Sequence, residues 1–279
     1  MPISFYEAIW IFIIYAFLGW VVEVAFAAFR SHSFVNRGFL NGPLCPVYGC
    51  GVLAVVVILY PLHRNLFLLF LCSFVLVSAI EFLTGFLLEK LFHNKWWDYS
   101  ERKFNICGYI CPLFSILWGV GCVFVLKVFH PIVYKGIRLL PRLPGTIVLI
   151  LLCLVFSVDL AITVATILQF NERLRLLDEI AGKIKIISNE LGENIYEGVT
   201  VAVEKGGELK ENFDIKATEI KNTFLEKKSE RSRLQQQYNR LLSENISFGM
   251  KRIMRAFPRM KSRAYQETLL KWKNHWGEK

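Results

Sequence analysis

Five long apolar segments constrain this chain more than any other feature. A helix that crosses a bilayer needs roughly 20 predominantly apolar residues, and five segments meet or approach that length. They are Ala8–Phe29, Leu44–Leu62, Leu66–Phe92, Gly108–Val133 and Thr146–Phe170. Because lipid offers no hydrogen bonds to an exposed backbone, such segments are stable there as helices. The pattern predicts an all-α, polytopic membrane helix bundle over residues 1–170, with about five transmembrane helices.

The charge distribution divides the chain into two parts. Residues 1–170 hold 11 Lys and Arg, whereas the shorter stretch 171–279 holds 22. Apolar residues recur every three or four positions between 177 and 199, which predicts an amphipathic helix. A break at Gly206–Gly207 and a second helix over 208–242 follow. The sequence therefore predicts a cytoplasmic, basic helical tail over 171–279, either as a surface helix pair or as a short coiled coil.

The tail also indicates partners. Residues 251–279 contain nine Lys and Arg against two acidic residues, interleaved with aromatic side chains. Such a segment suits the surface of an anionic lipid leaflet. A cytoplasmic protein is the alternative, and nucleic acid is an unlikely partner for a tail tethered to the membrane. The count of basic residues in the connections predicts an N-terminus outside the plasma membrane and a cytoplasmic tail.

The connection between the first two segments, Asn36–Gly49, is unusually rich in Gly, Pro and Asn. Gly permits positive φ, and Pro fixes φ and lacks a donor, so this backbone leaves helical geometry in a defined way. Irregular backbone near membrane depth is tolerated where it is buried in protein or lines a cavity. The candidate backbone-shaping residues are Gly38, Gly42, Pro43, Pro46 and Gly49.

Several polar residues lie where the membrane makes them unfavourable. A charge at the bilayer centre costs about 2.5–3.5 kcal/mol on insertion scales, so it normally has a partner or a function. Glu23, Glu81 and Asp159 fall inside apolar segments, and for Asp159 we expect a structural role. The connection between the third and fourth apolar segments is also rich in polar residues. The expected lining of one cytoplasm-facing pocket is Glu23, Asn36, Arg37, Glu81, Asp98 and Asn105, with Arg37 balancing the carboxylates.

Motifs for known chemistry are absent from the sequence. It has no GxxxxGK[ST] P-loop, no HExxH and no GxSxG, so we expect no ATPase, no metal site and no cofactor of its own. The seven cysteines follow no disulfide or metal-binding pattern, and we expect reduced thiols.

Several ordered motifs resemble one family of bacterial membrane proteins, called putative ABC-transporter type IV or CmpB-like. They are FLGWVVEV at 17–24, VNRGFLNGPLCPVYGCG at 35–51, WWDYS at 96–100 and NICGYICP at 105–112, together with the helix around Glu81. The resemblance covers roughly residues 5–170 and implies a bacterial, permease-like component that works with a separate ATP-binding subunit. Two alternatives stay open: a membrane scaffold that recruits partners through its tail, and a membrane-embedded enzyme acting on a lipid.

Overall fold

A computed structural model describes residues 3–204, 210–244 and 246–277. It confirms the predicted all-α, polytopic helix bundle. The helices are α1 (Phe5–Ser31), α2 (Pro46–Leu59), α3 (Leu66–Phe92), α4 (Pro112–Phe124), α5 (His130–Leu139), α6 (Arg142–Glu204), α7 (Lys210–Ser243), α8 (Phe248–Ala256) and α9 (Gln266–Gly277). A 3₁₀ turn, Tyr60–Leu62, extends α2, and a π-helical segment, Val125–Phe129, joins α4 to α5. The predicted break at Gly206–Gly207 lies outside the described residues.

Two short strands complete the secondary structure of the described residues. Strand β1 (Asn94–Lys95) follows α3, and β2 (Lys261–Ser262) follows α8. The two pair in antiparallel fashion, with Asn94 opposite Ser262 and Lys95 opposite Lys261. A segment close to the C-terminus thus pairs with a connection in the first half of the chain.

The chain forms two compact units. The first contains residues 1–169 together with 247–264, and the second contains residues 170–246 and 265–279. The first unit therefore includes part of the region that the sequence assigns to the tail. In the second unit, Phe170, Leu174 and Leu177 are buried, and the ring of Phe170 stacks on Trp272. Thr268 there donates a hydrogen bond to Asp178 at 2.7 Å.

Within the part of the chain that the structure describes, four helical stretches are long and apolar enough to cross a membrane: Phe5–Ser31, Leu66–Phe92, Pro112–Leu139 and Arg142–Tyr196. The second predicted segment is an apolar helix of shorter length, Pro46–Leu62. In the first unit, buried side chains of α1, α2 and α3 pack together with Leu126 and Ile137. Many apolar side chains on the outside of these helices are exposed, as expected where lipid surrounds a bundle.

Glycines allow α1 and α2 to approach closely. A Cβ at Gly49 would lie 2.6 Å from the carbonyl oxygen of Phe12, and a Cβ at Gly19 would overlap the ring of Tyr48. Small residues at a helix interface are a common means of packing membrane helices, because association there depends on close van der Waals contact. The hairpin of α1 and α2 frames the first part of the candidate site.

Candidate functional site

The connection after α1 returns along the helix before α2 begins. The backbone N–H of Cys45 donates to the carbonyl of Ala16 at 2.9 Å, although α1 continues to Ser31. At 1.5 Å per residue, Ala16 lies about 22 Å from that end of the helix. The irregular segment 32–45, called here the first returning loop, therefore covers part of the depth that a full helix would cross. This explains why α2 is short.

An acidic side chain of α6 satisfies backbone donors of this loop. Asp159 accepts hydrogen bonds from the backbone N–H groups of Asn41, at 3.1 Å, and Gly42, at 2.7 Å. The side-chain amide of Asn41 also donates to Asp159, at 3.0 Å, and to Thr163, at 3.1 Å. These bonds give Asp159 the structural role that its sequence context suggests.

A basic side chain of α8 satisfies the acceptors of the same loop. Arg252, only 8% exposed, donates to the carbonyl oxygens of Gly38, at 2.7 Å, and Phe39, at 2.9 Å. Its Nε donates to the side-chain oxygen of Asn41 at 3.0 Å. Because buried backbone polar groups need partners, one anion and one cation together allow a non-helical backbone here. Burial lowers the pKa of Arg252, and the nearby charge of Asp159 opposes this effect.

Asn36 organises the start of the loop. Its side-chain oxygen accepts hydrogen bonds from the indole N–H of Trp20, at 2.8 Å, and from the backbone N–H of Gly38, at 3.1 Å. Its amide donates to the carbonyl of Asn41 at 2.7 Å. The three bonds connect Asn36 to α1 and to other residues of the loop. Asn36 therefore shapes the loop.

Glu23 and Arg37 meet beside the loop. Arg37 Nη1 lies 3.6 Å from Glu23 Oε2, and both side chains are about one-third exposed. The hydroxyl of Tyr48 donates to Glu23 Oε1 at 2.6 Å, and the Tyr48 ring packs edge-on against Trp118 of α4 at 5.5 Å. Glu23 thus joins α1 to the loop, to α2 and, through Tyr48, to α4.

A second returning loop, residues 93–111, repeats this arrangement beside α3. The segment Gly42–Tyr48 has the sequence Gly-Pro-Leu-Cys-Pro-Val-Tyr, and Gly108–Phe114 has Gly-Tyr-Ile-Cys-Pro-Leu-Phe. In each case the Cys-Pro pair starts the next helix. Both α1 and α3 contain 27 residues, and each is followed by a histidine in the left-handed conformation, His32 and His93. The bundle therefore contains two helix–loop–helix repeats that run in the same direction.

Glu81 lies on α3 where the second loop returns. The hydroxyl of Tyr99 donates to Glu81 Oε1 at a long 3.4 Å, and the Tyr99 ring stacks on Phe114 at 4.9 Å. Glu81 Oε2 is buried and has no hydrogen-bond partner among the described residues. Burial raises the pKa of Tyr99, and the carboxylates of Glu81 and Glu23 raise it further. Tyr99 therefore lies within the electrostatic reach of both acids.

Asp98 and Asn105 hold the second loop together. Asp98 is bound by Lys95, at 3.1 Å, and by Lys261 of β2, at 2.6 Å. Burial would raise the pKa of Asp98, but hydrogen bonds from Lys261, Ser100 and Lys95 outweigh it and hold that pKa well below its usual range. Asn105 donates to the carbonyls of Ser100 and Arg102 and accepts from the N–H of Gly108.

The six residues predicted to line one pocket thus fall into separate groups. Glu23 and Arg37 form an ion pair, Glu81 lies with Tyr99, and Asp98 lies with Lys95 and Lys261. Among the described residues, Arg37 forms no salt bridge with Glu81. Asn36 and Asn105 serve their own loops.

Five important residues are absent from the sequence-based set: Asn41, Tyr48, Tyr99, Arg252 and Lys261. Asn41, Tyr48 and Tyr99 each bind a carboxylate of α1, α3 or α6. The repeated Gly-x-x-Cys-Pro motif is a signal that could have directed attention to Tyr48. Arg252 and Lys261 carry no such signal, because they lie within a basic segment of similar residues.

These features define a class: a polytopic α-helical membrane protein with carboxylates on its membrane-spanning helices and two returning loops between them. The model of the family described as putative ABC-transporter type IV matches residues 10–164. Since that is more than half of the chain, the protein belongs to this family. The comparison with curated proteins and the comparison with solved structures gave no match.

Proposed function

We propose that this protein is the membrane-spanning, permease-like component of a transporter, and that Glu23, Arg37 and Glu81 line its polar path. The family's description as an ABC transporter component supports this function. In this proposal the ends of α1 and α3 that carry the returning loops face the cytoplasm. A separate ATP-binding subunit docks there and supplies the energy, since the chain has no P-loop.

The observation that carries the proposal is the unpaired oxygen of Glu81. A carboxylate on an apolar helix normally has each oxygen satisfied, because an unpaired buried acceptor is unfavourable. Glu81 Oε2 is buried without a partner among the described residues, and Oε1 has only the long bond from Tyr99. An ionisable residue inside a membrane helix and without a full set of partners is a candidate site for a proton or a passing solute.

The two repeats support the same location. In transporters built from internal repeats, substrate sites lie where the repeats meet, next to helices that Gly and Pro interrupt. Here Glu23 belongs to the first repeat and Glu81 to the second, and each accepts a hydrogen bond from a tyrosine hydroxyl. Burial raises the pKa of Tyr99, and the negative charges of Glu81 and Glu23 act in the same direction.

The charges favour one class of solute. Of the two carboxylates, Glu23 is paired with a cation, Arg37, whereas Glu81 is not. The remaining negative charge of Glu81 suits a cation or a solute rich in hydrogen-bond donors. A proton on Glu81 is the simplest such ligand.

Purification of the full chain from its native membranes in mild detergent tests this proposal. We expect a subunit with a P-loop to co-purify and to hydrolyse ATP, and we expect Glu23→Gln and Glu81→Gln to lower that hydrolysis. Glu89→Gln is the matched control, because Glu89 lies on the same helix as Glu81 and also accepts a bond from a tyrosine, Tyr109. Failure of any ATP-hydrolysing subunit to co-purify would count against the transporter component and favour the scaffold.

A further inference from the structure

An open groove lies between α1 and α6, at the end of α1 that is opposite the first returning loop. It has a volume of about 470 Å³. Its α1 wall consists of Phe5, Tyr6 and Ile9, and its α6 wall extends from Arg142 to Ser157. At 1.5 Å per residue, the α6 wall is about 22 Å long. It is therefore longer than the roughly 15 Å that one leaflet contributes to the hydrocarbon core of a bilayer.

The α6 wall of this groove is apolar along most of its length. Leu149 is buried, whereas Ile150 and Leu154 are 56% and 59% exposed. The hydroxyls of Thr146 and Ser157 donate to backbone carbonyls one turn earlier in α6, at 2.7 and 2.8 Å. Their donors are thus used within the helix, and the groove offers a ligand mainly hydrocarbon contacts. An acyl chain suits such a surface, because it gains from apolar contact and needs no hydrogen bonds.

A cation lines one end of the same groove. Arg142 is the first residue of α6, and its side chain is exposed. Its guanidinium carbon lies 4.7 Å from the centroid of the Tyr6 ring. A Cβ at Gly145 would overlap the hydroxyl of Tyr6, so the glycine allows this ring to lie close to α6. Because guanidinium donors lie in the plane of the group, a contact over an aromatic face leaves them able to bind an anion.

The acid nearest in charge to Arg142 already has other partners. Glu7 interacts electrostatically with Arg142. Its carboxylate, however, accepts hydrogen bonds from the backbone N–H and the hydroxyl of Ser4, both at 2.9 Å, and from the hydroxyl of Tyr134 at 3.1 Å. Among the described residues, Arg142 forms no salt bridge with Glu7 or with another acid. Its N–H donors therefore remain for an anionic group at the end of the groove.

We propose that this groove binds one anionic phospholipid from the surrounding leaflet. The phosphate lies at Arg142, whose planar guanidinium suits bidentate binding of phosphate, and an acyl chain lies along Leu149, Ile150 and Leu154. The cation and the apolar wall line one cavity, so a single amphiphile contacts both. A soluble anion would leave the apolar wall uncovered, and a lipid without net charge would gain less from the cation. The site does not depend on the proposed transport function.

Lipid retention by the purified full chain tests the charged end of the site. The protein is placed in nanodiscs that contain phosphatidylglycerol and phosphatidylcholine in equal amounts, and the lipids that remain bound after delipidation are measured by native mass spectrometry. We expect phosphatidylglycerol to be retained preferentially. One cation near an anionic lipid contributes roughly a factor of five in affinity, so Arg142→Gln should reduce this preference about fivefold. Arg64→Gln is the control, because Arg64 is exposed but does not line the groove.

A second pair of variants tests the apolar wall. Ile150→Trp fills the groove and should lower the retention of phosphatidylglycerol. Leu151→Trp should not, because Leu151 is equally exposed on α6, at 57%, but does not line the groove. Added glycerol phosphate, which has the charge without acyl chains, should not displace the lipid.

Three results would overturn the proposal. The first is equal retention of both lipids by the wild-type protein. The second is an effect of Arg142→Gln or Ile150→Trp no greater than that of its control variant. The third is displacement of the lipid by glycerol phosphate, which would indicate a site for a soluble anion.

Discussion

Arg252 and Asn41 lie 211 residues apart in the sequence, and Arg252 Nε donates to Asn41 Oδ1 at 3.0 Å. Asn41 also binds Asp159 through its side chain and its backbone. The pair thus connects α8 to α6 through the first returning loop. Lys261, which follows Arg252 by nine residues, binds Asp98 of the second returning loop. Residues 247–264 therefore hold both returning loops.

Replacement of Arg252 should loosen the first returning loop. Arg252→Gln removes the guanidinium that donates to two backbone carbonyls and to Asn41. With a net loss of about 1–3 kcal/mol for each buried acceptor left unpaired, we expect a lower melting temperature. We also expect faster tryptic cleavage after Arg37, which lies in this loop. Arg259→Gln, an exposed position of the same segment, is the control, and equal cleavage rates in the two variants would contradict the role of Arg252.

The contact between α1 and α2 should tolerate no side chain at Gly49. An alanine Cβ there would lie 2.6 Å from the carbonyl oxygen of Phe12, and overpacking typically costs about 1–3 kcal/mol. Gly51 lies on the same helix and faces open space, so Gly51→Ala should be neutral or stabilising by up to about 1 kcal/mol. Thermal unfolding of the two variants in one detergent provides the comparison. Similar melting temperatures would show that the helices do not pack at this distance.

The second returning loop should weaken in acid. The pKa of Asp98 is held below its unfolded value of about 3.9, so the folded state binds fewer protons than the unfolded state around that pH. The stabilisation by Asp98 is therefore complete above about pH 5 and decreases as the pH falls through 3.9 and below. Asp98→Asn lacks this contribution. The difference in melting temperature between the wild-type protein and the variant should shrink from pH 6 to pH 3, and a constant difference would contradict the Asp98–Lys261 pairing.

A chain that ends at residue 170 should not behave as an isolated membrane bundle. Removal of 171–279 takes away the whole predicted tail, and with it Arg252 and Lys261 of the first unit. We expect the truncated chain to show the fast cleavage after Arg37 described for Arg252→Gln, because both lack the same donor. Truncation after residue 264, which keeps these two residues, is the control. Slow cleavage of the shorter chain would show that the first loop is stable by itself.

Sequence reasoning predicted the helices of the first unit well, because apolar length is a local signal. It also directed attention to the Gly- and Pro-rich connection, since such composition has few other uses. It missed the partners of that connection. Asn41 and Arg252 meet only through the fold, and Arg252 resembles its neighbours Lys251 and Arg255 until the helical face of α8 is known. Equally, nothing in the local sequence of Glu81 reveals that one of its oxygens lacks a partner.

The central claim is that Glu81 faces a polar path rather than lipid. Glu81→Cys and Leu83→Cys place a thiol at two positions of the same helix, and Leu83 is exposed on the outer, apolar surface. Both proteins are treated in native membranes with a cationic, water-soluble thiol reagent, and labelling at each position is measured by peptide mass spectrometry. Because a thiol must ionise in water to react, we expect labelling at position 81 to be at least about tenfold faster than at position 83. Equal or slower labelling at position 81 would contradict the path.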